Sequence, residues 1–86
     1  MADFSDLLNQ AKKMQEKMKE TQEILKNIEV EGISGGSVIK LTMNGDGELK
    51  KIYIEESLLK DSKEILEDLI LAAHNDAKSK LKKKTS

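Results

Sequence analysis

The sequence predicts an α+β fold in which a long helix, a three-stranded antiparallel sheet and a second long helix follow one another in a single domain, 1–86. Three successive patterns along the chain predict it. Apolar residues first recur at helical spacing. They then alternate with polar residues in short segments separated by Gly-containing turns, and finally return to helical spacing. We expect helices at 5–28 and 61–83, three short strands within 29–54, and a frayed tail at 84–86.

The first helix carries a heptad seam of apolar or small residues, with Asp3 or Ser5 as the expected N-cap. The seam packs either against a second copy of the chain or against the second helix of the same chain. Because its residues are small or flexible and the sheet is short, we favour packing along the second helix. The sheet is then the stronger candidate for a contact between copies. The seam consists of Phe4, Leu7, Ala11, Met14, Met18, Thr21, Leu25 and Ile28.

A row of lysines follows one flank of this helix. Lys12, Lys19 and Lys26 share one heptad position, so the row is about 21 Å long at 1.5 Å per residue. Glu16 and Glu23 lie four residues after the first two lysines, where weak ion pairs can form. The row is therefore either a solvated face with weak ion pairs or a surface that follows a phosphate backbone.

The middle of the chain predicts two hairpins. Residues 34–37 (SGGS) form a flexible turn and residues 44–47 (NGDG) a tight turn. The second turn places Ile39 opposite Ile52 on the buried face of the sheet. A phosphate-binding loop at 34–37 is excluded, because such a loop leads into a helix N-terminus and here a strand follows.

The second helix has a capping signal at its start and a basic tip at its end. Asp61 followed by Glu64 has the arrangement of a capping box, and the acidic start and basic end suit the helix dipole. The tip is either a soluble helix end or a contact surface for a polyanion. It contains Lys78, Lys80, Lys82, Lys83 and Lys84.

Composition excludes several classes of protein. The chain has 15 basic residues, all Lys, against 16 acidic residues. Without Arg it lacks the planar fork that reads guanine bidentately, so an acidic partner is held through its backbone charge. There is no Cys, hence no disulfide or thiolate metal site, and no apolar run nears the roughly 18 residues of a membrane span. We expect a soluble, cytoplasmic protein.

Catalytic chemistry is not indicated. His74 is the only histidine, and no second ligand set or Ser-His-Asp arrangement accompanies it. A histidine at the helix surface or at an interface is the favoured interpretation. We therefore expect no enzymatic activity, no metal, no cofactor and no small-molecule substrate.

A series of local motifs, taken in order, resembles the YbaB/EbfC family of bacterial nucleoid-associated DNA-binding proteins. The series covers about residues 5–80. The motifs are AKKMQEKM at 11–18, VEG at 30–32, SGG at 34–36, IKLTMNG at 39–45, IEESLL at 54–59, KEILEDLI at 63–70 and AAHNDA at 72–77.

The resemblance implies a homodimer whose sheets associate at the centre while its long helices project as arms. It also implies double-stranded DNA as the partner, a role in nucleoid organisation or gene regulation, and no catalysis or membrane association. The alternative from another class is a dimeric protein-interaction module of the replication or recombination machinery. The DNA-binding residues that the resemblance implies are Lys12, Lys13, Lys17, Lys19, Lys78, Lys80, Lys82, Lys83 and Lys84.

Overall fold

The computed structural model describes residues 3–85, and its elements follow the predicted order of helix, sheet and helix. The strands form one antiparallel sheet in the order β1-β2-β3, so the predicted α+β fold class is confirmed. Ser86, the last residue of the expected tail, lies outside the described residues. The elements are α1 (Phe4–Asn27), β1 (Glu29–Ser34), β2 (Ile39–Asn44), β3 (Leu49–Ile54), a 3₁₀ turn (Glu56–Lys60) and α2 (Lys63–Thr85).

The core lies between α2 and the first two strands. Ile39 and Leu41 of β2 and Ala73 of α2 are at most 1% exposed. A Cβ atom at Gly32 of β1 would overlap the carbonyl oxygen of Ala73, so glycine at this position allows α2 to approach the strand closely. Leu58, in the 3₁₀ turn that the sequence did not predict, belongs to the same core.

The register of β2 and β3 differs from the predicted one by two residues. Ile39 lies opposite Ile54, not Ile52, and Leu41 lies opposite Ile52. The loop between the strands is longer than a tight turn, and the ladder is irregular between Thr42 and Met43. A shift of two residues keeps the same side chains on the same face.

The side chain of Asn44 organises that loop. It is fully buried, and its Oδ1 accepts hydrogen bonds from the backbone N–H groups of Asp46 and Glu48, both at 3.0 Å. Its Nδ2 donates to the Glu48 carboxylate at 3.1 Å, which with the nearby Lys50 lowers the pKa of that carboxyl group. The loop therefore extends to Glu48.

The face of β3 that continues the core is not covered by α2, which lies over β1 and β2. Ile52 is 54% exposed and Leu49 is 44% exposed, so the expectation that Ile52 is buried within the single chain is wrong. The apolar surface around Leu49 and Ile52 on this face of the sheet therefore remains exposed.

The helix α1 is an arm that leaves the sheet. None of its residues is buried, and the seam residues Phe4 and Met14 are 72% and 65% exposed. The expectation that the seam packs along α2 is wrong, because the buried face of α2, with Ala73 and Ala77, is used by the sheet. The chain is accordingly a rod of 70 × 18 × 18 Å.

The helix ends differ slightly from the prediction. Asp3 caps α1 by accepting from the N–H of Phe4 at 2.7 Å. At α2 the cap is Ser62, whose Oγ accepts from the N–H of Ile65 at 3.3 Å; Asp61 instead ends the 3₁₀ turn. The helix also continues to Thr85, beyond the predicted end at residue 83.

Candidate functional site

The predicted basic residues of the arm are all solvent-exposed. The ion pairs expected for Lys12 with Glu16 and for Lys19 with Glu23 are not among those the structure forms within residues 3–85. These ion pairs therefore do not form along the flank of α1, and the ammonium groups of its lysines are exposed to solvent. The arm residues in question are Lys12, Lys13, Lys17 and Lys19.

The arrangement of charge around α1 follows from its helical geometry. At about 100° per residue, Lys12 and Lys19 lie on one flank of the seam and Lys13 and Lys17 on the other. Glu16 and Glu23 share the heptad position opposite the seam, beside the row of Lys12 and Lys19, and Glu20 shares the heptad position of Lys13. A polyanion that lies along either flank of the seam therefore meets lysines, with these acidic residues beside them.

Two lysines of the basic tip are held by the sheet. The Nζ of Lys80 donates to the carbonyl oxygen of Glu31 at 2.8 Å and also forms an ion pair with Asp76 at 2.9 Å. The Nζ of Lys84 donates to the carbonyl oxygen of Glu29 at 3.1 Å. These ammonium groups are partly occupied by β1 and Asp76, and only their remaining N–H donors are available to a phosphate.

Two further lysines of the tip lie on the other flank of α2. Lys78 and Lys82 line an open groove of about 810 Å³ between the end of α2 and the loop that follows β2. His74, half-buried and four residues before Lys78, lies in the same groove, beside Met43. The histidine is thus at the helix surface, as the sequence indicated. The fifth tip lysine, Lys83, also belongs to the last turn of α2.

The two groups of predicted residues do not form one patch in a single chain. The end of α2 reaches the start of β1, where Lys84 contacts Glu29, and α1 leaves from the same place. Lys19 and Lys12 lie about 12 Å and 22 Å farther out along the arm, measured from Asn27 at 1.5 Å per residue. A ligand that contacts both groups on one chain must therefore be long.

Asp76 is a residue of this region whose role was not predicted from the sequence. Its Oδ2 accepts from the backbone N–H of Ile33 at 2.9 Å, and this hydrogen bond together with Lys80 lowers the pKa of the carboxyl group. The spacing of Asp76, Lys80 and Lys84, each four residues apart on one face of α2, was the available signal.

Other types of site are not found in the described part of the chain. Within residues 3–85 no three His, Asp or Glu side chains come together in a way that would hold a metal ion. Neither described helix combines the length and the apolar character that crossing a bilayer requires.

Comparison with known proteins agrees with this geometry. The model of the YbaB/EbfC DNA-binding family matches residues 1–86. A nucleoid-associated protein of Hahella chejuensis is 52% identical over 80 residues, which is 93% of this chain and 74% of that protein. One of Afipia carboxidovorans is 49% identical over 81 residues, 93% of this chain and 77% of that protein.

A crystal structure of an uncharacterized Helicobacter pylori protein superposes with a TM-score of 0.84 at 29% identity, covering 99% of this chain and 90% of that one. The similarity therefore includes the long helices as well as the sheet. The family and the names of the relatives point to a DNA-binding protein and not to an enzyme. On the match over its whole length and on these relatives, the chain belongs to the YbaB/EbfC DNA-binding family.

Proposed function

We propose that this protein binds double-stranded DNA as a homodimer, through contacts between lysine side chains and phosphates, and serves nucleoid organisation or gene regulation. The observation that carries the proposal is the exposed arm, on which lysines lie along both flanks of the seam. The family supports DNA as the partner, and the names of the relatives support a location in the nucleoid.

Recognition of the phosphate backbone fits the residue types present. The chain carries a net charge of −1, so a general positive charge does not attract DNA and the attraction must come from local groups. Every basic residue is a lysine, which contacts a phosphate as a point charge and lacks the bidentate geometry used for guanine. We therefore expect similar affinity for different DNA sequences.

The surface area of the single chain supports a homodimer. The chain exposes 6815 Å², whereas a compact monomer of 9.6 kDa exposes about 5,100 Å². Its radius of gyration of 19.6 Å compares with about 12 Å for a compact domain of this length. A standard protein interface removes about 800 Å² from each partner, so this chain has ample surface to bury.

The edge strand β3 is the favoured contact between the copies. The outer edge of β1 is hydrogen-bonded to α2 through Lys80 and Lys84, whereas no hydrogen bond joins the outer edge of β3 to another part of residues 3–85. The exposed side chains of Leu49 and Ile52 adjoin that edge. Contact of β3 with β3 about a two-fold axis is self-complementary and closes at two copies.

The deciding experiment is a titration of fluorescently labelled duplex DNA, followed by anisotropy at several salt concentrations. If the homodimer neutralises about six phosphates, the logarithm of the association constant falls with the logarithm of salt concentration at a slope of about −5. Duplexes of unrelated sequence should give similar slopes. No binding at low salt, or binding that salt does not weaken, would contradict the proposal.

A second candidate function is a dimeric protein-interaction module of the replication or recombination machinery. The exposed methionines of the seam, Met14 at 65% and Met18 at 62%, favour it, because flexible Met surfaces adapt to varied partners. Isolation of native complexes with and without nuclease separates the two candidates. Partners that persist after nuclease treatment support the interaction module, and partners lost with the DNA support DNA binding.

A further inference from the structure

Three side chains of α2 cover the outer edge of β1. Lys84 and Lys80 donate to the carbonyl oxygens of Glu29 and Glu31 at 3.1 Å and 2.8 Å. Asp76 accepts from the backbone N–H of the next outward-facing residue of the strand, at position 33, at 2.9 Å. We call Asp76, Lys80 and Lys84 the edge plug.

The plug is matched to the repeat of the strand. Its members are four residues apart on a helix, a rise of about 6 Å per step, and their targets are two residues apart on a strand, a rise of about 6.6 Å. The helix runs antiparallel to β1, so successive side chains meet successive outward-facing backbone groups. The ion pair of Lys80 with Asp76 at 2.9 Å holds two members of the plug together.

Outward N–H and C=O groups of an edge strand are a template for pairing with another chain. The plug satisfies carbonyl oxygens with ammonium groups and an N–H with a carboxylate, so a strand that paired with β1 would have to displace it. At the other edge, β3 has no such cover within residues 3–85. The outer edge of β1 is therefore covered by side chains of α2, whereas the outer edge of β3 is uncovered within residues 3–85.

The two edges carry opposite charges. Glu29 and Glu31 lie on β1, and Lys50 and Lys51 lie on β3. Pairing of β1 with β1 of another copy, or of β3 with β3, would bring like charges together, whereas pairing of β1 with β3 of another copy would bring opposite charges together. The β1–β3 arrangement is head-to-tail, so without a closing rotation it extends into an open array. In the proposed β3–β3 homodimer, burial of the exposed Leu49 and Ile52 has to offset the repulsion between like charges.

We propose that β1 is a latent assembly edge whose partner is β3 of a second copy, and that the edge plug keeps it closed. Release of the plug then lets copies add head-to-tail. This array uses the same β3 edge as the proposed homodimer and forms in competition with it, so the plug favours the closed pair over the array. The proposal concerns assembly alone and does not depend on DNA binding.

The test is sedimentation velocity of the full chain over a wide range of concentration. The variant Asp76→Ala/Lys80→Ala/Lys84→Ala should form species heavier than wild type whose mean mass keeps rising with concentration. The control Lys78→Ala/Lys82→Ala removes two lysines from the same helix without touching β1, and it should sediment as wild type. Circular dichroism establishes that each variant retains the fold.

A milder variant covers the case in which the triple variant does not fold. Lys80→Gln/Lys84→Gln leaves Asp76 on the strand and should shift the mass in the same direction. Adding Glu29→Lys/Glu31→Lys to either released variant should return the mass to that of wild type, because like charges then face each other. A folded released variant that sediments as wild type, or heavy species that the charge reversal leaves unchanged, would overturn the proposal.

Discussion

The backbone N–H of Gly45 donates to the carbonyl oxygen of Leu25 at 2.8 Å, and this contact joins the arm to the sheet. The same N–H also donates to the carbonyl oxygen of Ile28 at 3.0 Å. One donor is therefore shared by Leu25, in the last turn of α1, and Ile28, the C-cap residue of the helix. A Cβ atom at position 45 would overlap the Leu25 carbonyl group. The direction of the arm therefore depends on the absence of a side chain at Gly45.

The variant Gly45→Ala should displace the arm and lower stability. The clash is with backbone atoms, which cannot rotate away, so we expect a loss of about 1–3 kcal/mol, typical of overpacking. Thermal unfolding measures the loss, and small-angle scattering measures the change in shape. Asp46→Ala, an exposed neighbour in the same loop, is the control. Unchanged stability and scattering in Gly45→Ala would contradict this account of the joint.

The variant Gly32→Ala should lower the free energy of unfolding more than Gly36→Ala does. At Gly32 the added Cβ meets backbone atoms of α2, so the helix must move away from β1. At Gly36 an added Cβ meets no atom of residues 3–85 within 4 Å apart from its chain neighbours, and the cost is limited to the positive φ of +70°. Urea unfolding at one protein concentration gives the order of the two variants. The reverse order would show that α2 does not pack on β1 as described.

Stability should fall in acid, in part through Asp76. Its hydrogen bond from Ile33 and its contact with Lys80 depress the folded-state pKa below the ordinary value of 3.8. The unfolded chain therefore binds the proton more readily, so this stabilisation is present above about pH 4 and is lost as the pH falls through the folded-state pKa. Urea unfolding across this range should show a weaker pH dependence for Asp76→Asn than for wild type. The same pH dependence of the unfolding free energy in Asp76→Asn and in wild type would exclude a contribution from the Asp76 carboxyl group.

The variant Ile52→Lys should weaken the homodimer without unfolding the chain. Ile52 is 54% exposed in one chain, so a lysine there is solvated, but in the proposed contact it would bring two buried charges together. We expect the dissociation constant to rise at least about tenfold, or ~1.4 kcal/mol. Leu71→Lys, at a residue 62% exposed on α2, is the matched control for sedimentation. Equal effects of the two substitutions would move the contact away from β3.

The sequence predicted the helices and strands well because their periodicities are local properties. The seam from Phe4 to Ile28 identified α1, and alternation around Ile39 identified the sheet. The side on which α1 packs was not predictable, because a heptad seam shows that a partner is needed and not which one. The register of β3 was missed because Asn44 extends the loop by hydrogen bonds that no local pattern reveals.

The candidate site was predicted by residue type but not by surroundings. The lysines of the tip look equivalent in the sequence, yet Lys80 and Lys84 hold β1 while Lys78 and Lys82 line a groove. The difference depends on the tertiary contact between α2 and β1, which composition and spacing do not contain. The arm lysines show the converse case, since none of them is buried by the described part of the chain, residues 3–85.

The most direct test of the proposed DNA contacts compares the salt dependence of two matched variants. Lys12→Gln/Lys19→Gln removes two lysines of the arm, and Lys60→Gln/Lys63→Gln removes two exposed lysines around the start of α2. Each lost phosphate contact takes about one unit from the slope of log affinity against log salt. Because two lysines are removed from each of two copies, we predict that the magnitude of the slope falls by about two to four in the arm variant. The slope of the control should be unchanged. Equal slopes for the arm variant and wild type would contradict DNA binding through the arms.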